Sequence, residues 1–438
     1  MTKYLKIAGI FFCLSLPAAT SAAETAAPPF DLSGCIKLAL DKNHQVRSAS
    51  EMVEKAYARI DESSSSAWPQ LDFKADYSRL GNIPEYEFGG ETIAFAPEDN
   101  YKVGIDLSQK IYSPQVFEAI KASKSYAKSA ELEFSIVKES VAASVKEAYY
   151  LYLFTTAMID VKKEAVAQLK RHLDNVRSRL DVGLATDYDL LRAEVQLANA
   201  TPSLTKAKND ALLAAAALKL ILGIEPDSEL SISGGLEYTP YEIALEEAHS
   251  QAAEKRSELH QLSYEVETLK SYVNVAKKEM LPQLSLHGSY NYANDGVSMG
   301  GEAEWDYNWN VGVSLDYKLF DGWEKSSRVK QNRRDLGAAT IKREETVSRV
   351  KLEVETAFAR LGEARELILS QEKNIENATR AYSIADVGHL NGVISQLELM
   401  DAQLALTEAR SNYKQAVYDW LIARVQLEKA MGTVMEGI

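Results

Sequence analysis

Two hydrophobic periods divide this chain. Over residues 70–80, 100–111, 283–293 and 306–320 apolar side chains fall at every second position, which predicts strands with one apolar and one polar face. Leu71, Phe73, Ala75 and Tyr77 interleave with Asp72, Lys74, Asp76 and Ser78. Tyr101, Val103, Ile105 and Leu107 interleave with Lys102, Gly104, Asp106 and Ser108. The later pair repeats the pattern: Leu284, Leu286, Gly288, Tyr290 and Tyr292 in one strand, then Tyr307, Trp309, Val311, Val313, Leu315, Tyr317 and Leu319 in the next.

Elsewhere the period is helical. Leu190, Ala193, Leu197, Ala200, Leu204, Ala207, Ala211, Ala214, Leu218 and Ile221 follow 3,4 spacing, as do Leu399, Ala402, Leu406, Ala409, Tyr413, Ala416, Trp420, Ala423, Leu427 and Ala430. Such a seam of alternating large and small residues predicts helices packed closely side by side. From Gln115 to about Arg179 there is neither Pro nor Gly. Roughly 65 residues at about 1.5 Å each make a helix of roughly 100 Å, which must lie along partner helices.

The chain is also a duplication. Residues 183–223 align without gaps to 392–432, with 11 of 41 positions identical, including both end glycines. The match continues upstream through Pro69-Gln70-Leu71 with Pro282-Gln283-Leu284 and Ala148-Tyr149 with Ala357-Phe358. Each half therefore reads helix, two strands, long helix, turn, helix. Repeat 1 spans about 31–224, a Pro- and Gly-containing linker about 225–240, and repeat 2 about 241–433. The 438 residues that length alone would divide into two or three domains become one interleaved unit, 24–438.

Residues 1–23 carry Lys3 and Lys6, an apolar run from Ile7 to Leu16, and small residues before Glu24, the layout of a signal peptide. Removing it takes the net charge from -14 to -16 through the loss of two lysines. The surplus of 63 acidic over 49 basic residues, with no basic run, argues against nucleic-acid binding. A mean hydropathy of -0.24 excludes a polytopic helical membrane protein but not a barrel, whose strands need only alternate apolar positions. After cleavage Cys35 is the sole cysteine, so no internal disulfide forms, and it reads as a buried helix residue.

Four strands with an apolar outer face leave open edges, and transmembrane barrels begin at about eight strands. Pooling strands from several chains resolves this. Strands of about ten residues rich in Tyr and Trp fit an outer membrane and its aromatic girdles. A soluble sheet packed on helices is the competing reading.

In the order and duplication of these elements the chain resembles the TolC family of outer-membrane efflux proteins. The resemblance rests on the paired Pro-Gln-Leu strand entries, the strand exits KIYSP and KLFDG, and the turns RLDVGLATDYDLLRAE and HLNGVISQLELMDAQ. It implies a mainly α protein with a β-barrel portion: a homotrimer whose twelve strands form one barrel in outer-membrane lipid over a periplasmic α-helical tunnel. It also implies a periplasmic adaptor protein and an inner-membrane pump of the RND or ABC type, serving efflux or type I secretion. The aromatic girdle would then hold Tyr77, Tyr101, Tyr290, Tyr292, Tyr307, Trp309 and Tyr317. The turns become periplasmic tips, with Val182, Gly183, Leu184 and Ala185, and Gly392, Val393, Ile394 and Ser395, meeting the adaptor. Both glycines also read simply as left-handed helix caps.

Glu398 and Asp401, spaced i to i+3, would form stacked acidic rings at the tunnel's narrow end, as family members carry acids there, and such rings favour cations. Asp189 is the counterpart of Glu398 in the first repeat. The best-known members place an Arg two residues after the second glycine and a Tyr three before it, whereas this chain has Ile394 and His389. Its closed state is therefore expected to be locked differently, through Asp189 and Arg192.

No catalytic or metal-binding pattern stands out. The six histidines lack ligand spacing, and there is no HExxH, GxSxG, P-loop or GxGxxG. No cofactor is expected. The alternative from another class is an exported coiled-coil scaffold without a pore.

Overall fold

The computed structural model describes residues 30–88, 90–94, 97–297 and 303–436; the signal peptide expected over 1–23 lies outside them. The first half runs α1 (Leu32–Lys42), α2 (His44–Ser65), β1 (Gln70–Arg79), a short hairpin β2 (Glu85–Phe88) and β3 (Glu91–Ala94), β4 (Asp99–Tyr112), α3 (Pro114–Asp181) and α4 (Asp187–Leu222). The second half repeats it: α5 (Leu245–Lys255), α6 (Ser257–Lys278), β5 (Gln283–Val297), β6 (Ala303–Asp316), α7 (Glu324–Leu390) and α8 (Gln396–Met431).

The four long strands form one antiparallel sheet in the order β1-β4-β5-β6, so the halves join through β4 and β5. Register carries the alternation across all four strands. Phe73 opposes Ile105, Ile105 opposes Tyr290, and Tyr290 opposes Trp309. On the other face Lys74, Gly104, Asn291 and Asn308 make the matching row. The apolar face is solvent-exposed along its length, Phe73 at 73% and Trp309 at 68%. Among the described residues nothing packs over it.

The second pair of strands is displaced from the predicted 283–293 and 306–320. Gln283 pairs with Asp316, so residues beyond Asp316 find no partner, because β5 begins there just after Pro282. The ladder instead extends the other way, to Val297 and Ala303. Tyr317 thus lies just outside β6 though still exposed, and Trp305 joins the aromatic cluster, stacked on Tyr101 and Tyr292 at centroid distances of 6.3 and 5.0 Å. The β2-β3 hairpin is too short for alternation to reveal.

The long helices have 68 and 67 residues, about 100 Å each. α3 begins with Pro114 at its first position, where no backbone donor is needed. α2 and α4 lie along α3 toward the sheet and toward the far tip respectively, and α6 and α8 do the same for α7. The seam residues of α8 are more deeply buried than those of α4, because α8 packs on both α3 and α7, while α4 packs mainly on α3. Pro202 sits inside α4; Ala198, whose carbonyl would take the missing bond, faces solvent.

The principal core gathers at mid-length, where α1, α5 and the ends of α4 and α8 meet the long helices: Cys35, Ile36, Val145, Leu218, Leu222, Val354, Trp420, Leu427 and Met431. Cys35 is fully buried, and burial first, with the Asp31 charge adding to it, pushes its thiol up to about 11. The linker is part of this core. Phe30 bridges Ile232, the Tyr149 hydroxyl donates to the Ser233 carbonyl at 2.5 Å, and Trp420 Nε1 donates to the Thr239 carbonyl at 3.3 Å.

Candidate functional site: the helical hairpin tips

The two hairpin turns lie at the end of the molecule away from the sheet. At the first, α3 ends at Val182 and Gly183 takes φ +75°, with Leu184 N–H closing on the Arg179 carbonyl at 2.7 Å. At the second, Gly392 takes φ +74°, and Val393 and Ile394 N–H both reach the Gly388 carbonyl, at 2.9 and 3.2 Å. These are glycine-terminated helix ends, as expected. Val182, Leu184 and Val393 are exposed, Val393 at 82%. Ala185 instead packs toward Leu173, Val176 and Ala193, and Ile394 folds back over Gly388, where an added Cβ would lie 2.7 Å from its Cδ1.

Each following helix opens with a capping box. Asp189 accepts from the Thr186 N–H at 3.0 Å and hydroxyl at 2.7 Å, while Asp189 N–H donates to the Thr186 hydroxyl. Glu398 accepts from the Ser395 N–H at 2.8 Å and hydroxyl at 2.7 Å, and returns its N–H to the same hydroxyl. These hydrogen bonds hold both carboxyl groups below the ordinary carboxylate range. The T-D-Y-D and S-Q-L-E strings carry this signature in the sequence, where the acids read only as candidate pore charges. Asp189 and Glu398 are thus spent partly on starting α4 and α8. Asp401, one turn on, remains exposed.

Within one chain, no hydrogen bond from the side chain of Asp189 or Arg192, the expected lock residues, reaches the second hairpin among the described residues. The Asp189 carboxylate is turned back onto Thr186 and makes no hydrogen bond to Arg192. Two other bonds cross the tip. The Arg179 guanidinium lies 3.3 Å from His389 Nε2, whose ring Nδ1 is 3.1 Å from the Ile394 carbonyl. Gln396 Nε2 donates to the Asp189 backbone carbonyl at 3.1 Å. His389 can satisfy both neighbours only when neutral, accepting from Arg179 at Nε2 and donating from Nδ1. Beneath it His172 is buried with its Nε2 unpartnered, its ring 5.9 Å from that of His389. Burial first, and the neighbouring His389 next, lower its tendency to protonate.

At the opposite end, the predicted girdle residues Tyr77, Tyr101, Tyr290, Tyr292, Tyr307 and Trp309 share the exposed apolar face of the sheet. Among the described residues no helix is long and apolar enough to cross a membrane.

Comparison with known proteins agrees with this layout. The model of a family described as "Outer membrane efflux protein" matches residues 35–224 and again 248–433, coinciding with the two repeats. The chain is 23% identical over 410 residues to the outer membrane protein TolC of Vibrio cholerae, covering 91% of this chain and 90% of that one. It is 23% identical over 413 residues to the outer membrane efflux protein BepC of Brucella suis, covering 92% and 85%. Among solved structures, the CmeC outer membrane channel of Campylobacter jejuni superposes with a TM-score of 0.80 at 21% identity, over 92% of this chain and 85% of that chain. With both of its halves matched by the one family model, this chain belongs to the outer membrane efflux protein family and serves as an exit duct of an efflux system in the outer membrane.

Proposed function

We propose that three copies close into a twelve-stranded barrel in the outer membrane, above a helical tunnel whose periplasmic tips form a gate. The observation that carries this reading is the open sheet: β1 and β6 each present an unpaired edge, and the apolar face between them is bare. Exposed edges and an exposed apolar face are unstable in water, and closure in lipid removes both. Tyr77, Tyr101, Tyr290, Tyr292, Tyr307, Trp309 and Tyr317 meet lipid at the interfaces. The polar face, with the Lys74–Asp106 ion pair at 2.7 Å, lines water.

At the tip, Asp401 with Glu398, and Asp189 beside them, set the field of the aperture as acidic rings. The Arg179–His389 and Gln396–Asp189 contacts hold the two hairpins of each chain together in the closed state. The exposed Val182, Gly183, Leu184, Gly392 and Val393, with Ala185, Ile394 and Ser395, are the surface that a periplasmic adaptor engages, and through the adaptor an inner-membrane pump. Membership of an efflux family leaves the alternative of a scaffold without a pore unsupported.

Single-channel conductance in planar bilayers tests the aperture. Glu398→Gln with Asp401→Asn removes the charges while Gln at position 398 preserves the capping box. Reduced cation preference is expected; unchanged preference would rule out the acidic rings.

A further inference from the structure

The internal repeat relates every contact between the halves to a second contact that the chain does not make with itself. β4 pairs with β5, and α3 packs on α6 and α8. Shifted by one repeat, these become β6 with β1, α7 with α2 and α7 with α4, none of which packs together among the described residues. The two open sides are different surfaces, so a second copy can supply each missing partner head to tail, and such contacts close into a ring when the rotation allows. In the trimer proposed above this sets α7 of one copy on α4 of the next, and we infer that Lys219 of one copy pairs there with Glu355 of the next, a polarity-reversed counterpart of the Lys146–Glu428 ion pair, with Leu352 seated against Ala216 beside it.

The charge exchange centres on Lys146 of α3 and Glu428 of α8, which form a nearly buried ion pair at 2.7 Å. The repeat places Glu355 at the position of Lys146 and Lys219 at that of Glu428. Both charges are reversed, so the pair survives with its polarity inverted. Within the chain Glu355 is exposed, with His249 at 3.8 Å, and the Lys219 ammonium rests on the Pro226 carbonyl.

Size follows the same rule. Ala143 of α3 and Val425 of α8 share a buried cluster. Their counterparts are Leu352 and Ala216: the small residue has become large on one helix and the large one small on the other. Leu352 is 63% exposed where Ala143 is 1%. Leu212 of α4 is 69% exposed, yet its identical counterpart Leu421 in α8 is 6%. Equivalent positions are thus covered in one half and bare in the other. Independent compensation of volume and of charge across one contact is what a packed interface requires.

The inference rests on the trimer reading above, and its test separates the two. Lys219→Glu and Glu355→Lys should each lower the temperature at which the detergent-extracted oligomer dissociates on a denaturing gel, and the double reversal should restore it. Single variants that leave that temperature unchanged, or a double variant that loses twice as much, would overturn the pairing. In a second arm, chains carrying Ala216→Cys and chains carrying Leu352→Cys are co-expressed and treated with a short bismaleimide. A cross-linked dimer is expected only when both are present; buried Cys35 gives no background. A trimeric mass in detergent without that cross-link rejects the interface and leaves the trimer standing. A monomeric mass rejects both.

Discussion

Asn43, at the break between α1 and α2, donates from its Nδ2 to the carbonyl of Ile221 in the last turn of α4, at 2.7 Å. In the second half Arg256, at the break between α5 and α6, donates from Nη1 to the carbonyls of Lys429 and Ala430, each at 3.1 Å. Ala430 is the repeat counterpart of Ile221. Two unrelated side chains therefore play the same part, donating to the Ile221 and Ala430 carbonyls where a helix ends, while the Lys429 carbonyl also accepts the Gly432 N–H at 3.1 Å. Asn43 also caps α2, accepting from the Gln45 N–H at 2.8 Å. Asn43→Ala should lower stability by about 1–2 kcal/mol, the range for loss of an N-cap, read as a shift in the thermal unfolding of the helices by circular dichroism. Arg256→Lys should fall short of wild type, since one ammonium cannot reach both carbonyls and Glu353 as the guanidinium fork does.

The glycines closing α4 and α8 touch these same breaks. A Cβ at Gly223 would lie 2.6 Å from the Lys42 carbonyl oxygen, and one at Gly432 would lie 2.9 Å from that of Lys255, both on backbone with φ above +70°. Gly183 shares that φ but has open space around it. Gly183→Ala should therefore cost only the left-handed penalty, about 1–2 kcal/mol. Gly223→Ala and Gly432→Ala add a backbone clash and should sharply reduce the yield of folded protein. Similar yields for all three would show that the helix ends do not pack as described.

Lys146 and Glu428 pair at 2.7 Å with little solvent contact. Removing Glu428 leaves the Lys146 ammonium buried without a carboxylate, so Glu428→Ala should destabilise by about 3–5 kcal/mol, whereas Lys146→Ala should cost less because Arg424 Nε still donates to Glu428 at 2.9 Å. Replacing both with apolar residues should recover much of that loss, measured by chemical denaturation. An additive double variant would place the pair in water rather than in the core.

The capping acids predict a pH dependence with a definite sign. Glu398 and Asp189 have folded-state values held below the ordinary carboxyl range by Ser395 and Thr186. Their contribution is complete above the unfolded values and is lost as pH falls through the lower folded ones. The protection of the first-turn amides of α4 and α8, taken relative to the intrinsic exchange rate at each pH, should hold from neutral pH down to about pH 4 and fall only below it. Loss of protection already well above the ordinary carboxyl range would show that the capping acids do not set this dependence.

Arg179→Ala combined with Gln396→Ala removes both bonds that cross the tip. If these bonds hold the gate, the doubly substituted channel should show higher conductance in planar bilayers than wild type. Equal conductance would place the closing contacts elsewhere.

Much of this architecture was legible in residue order, because it depends on local periods. Alternation over Leu71–Tyr77 or Tyr307–Leu315 allows only a strand with two unlike faces, and the 3,4 seams of α4 and α8 allow only closely packed helices. The duplication and the helix-ending glycines were equally plain, and the capping boxes were written in T-D-Y-D and S-Q-L-E. What residue order could not settle was everything that joins distant segments. The register of Gln283 on Asp316, which moved the second strand pair, depends on where two strands meet. So do the burial of Leu421 against the exposure of the identical Leu212, the turn of Asp189 onto Thr186, and the meeting of Arg179 with His389 across 210 positions. A residue's period is a property of its neighbours in sequence, but its partner is a property of the packed molecule.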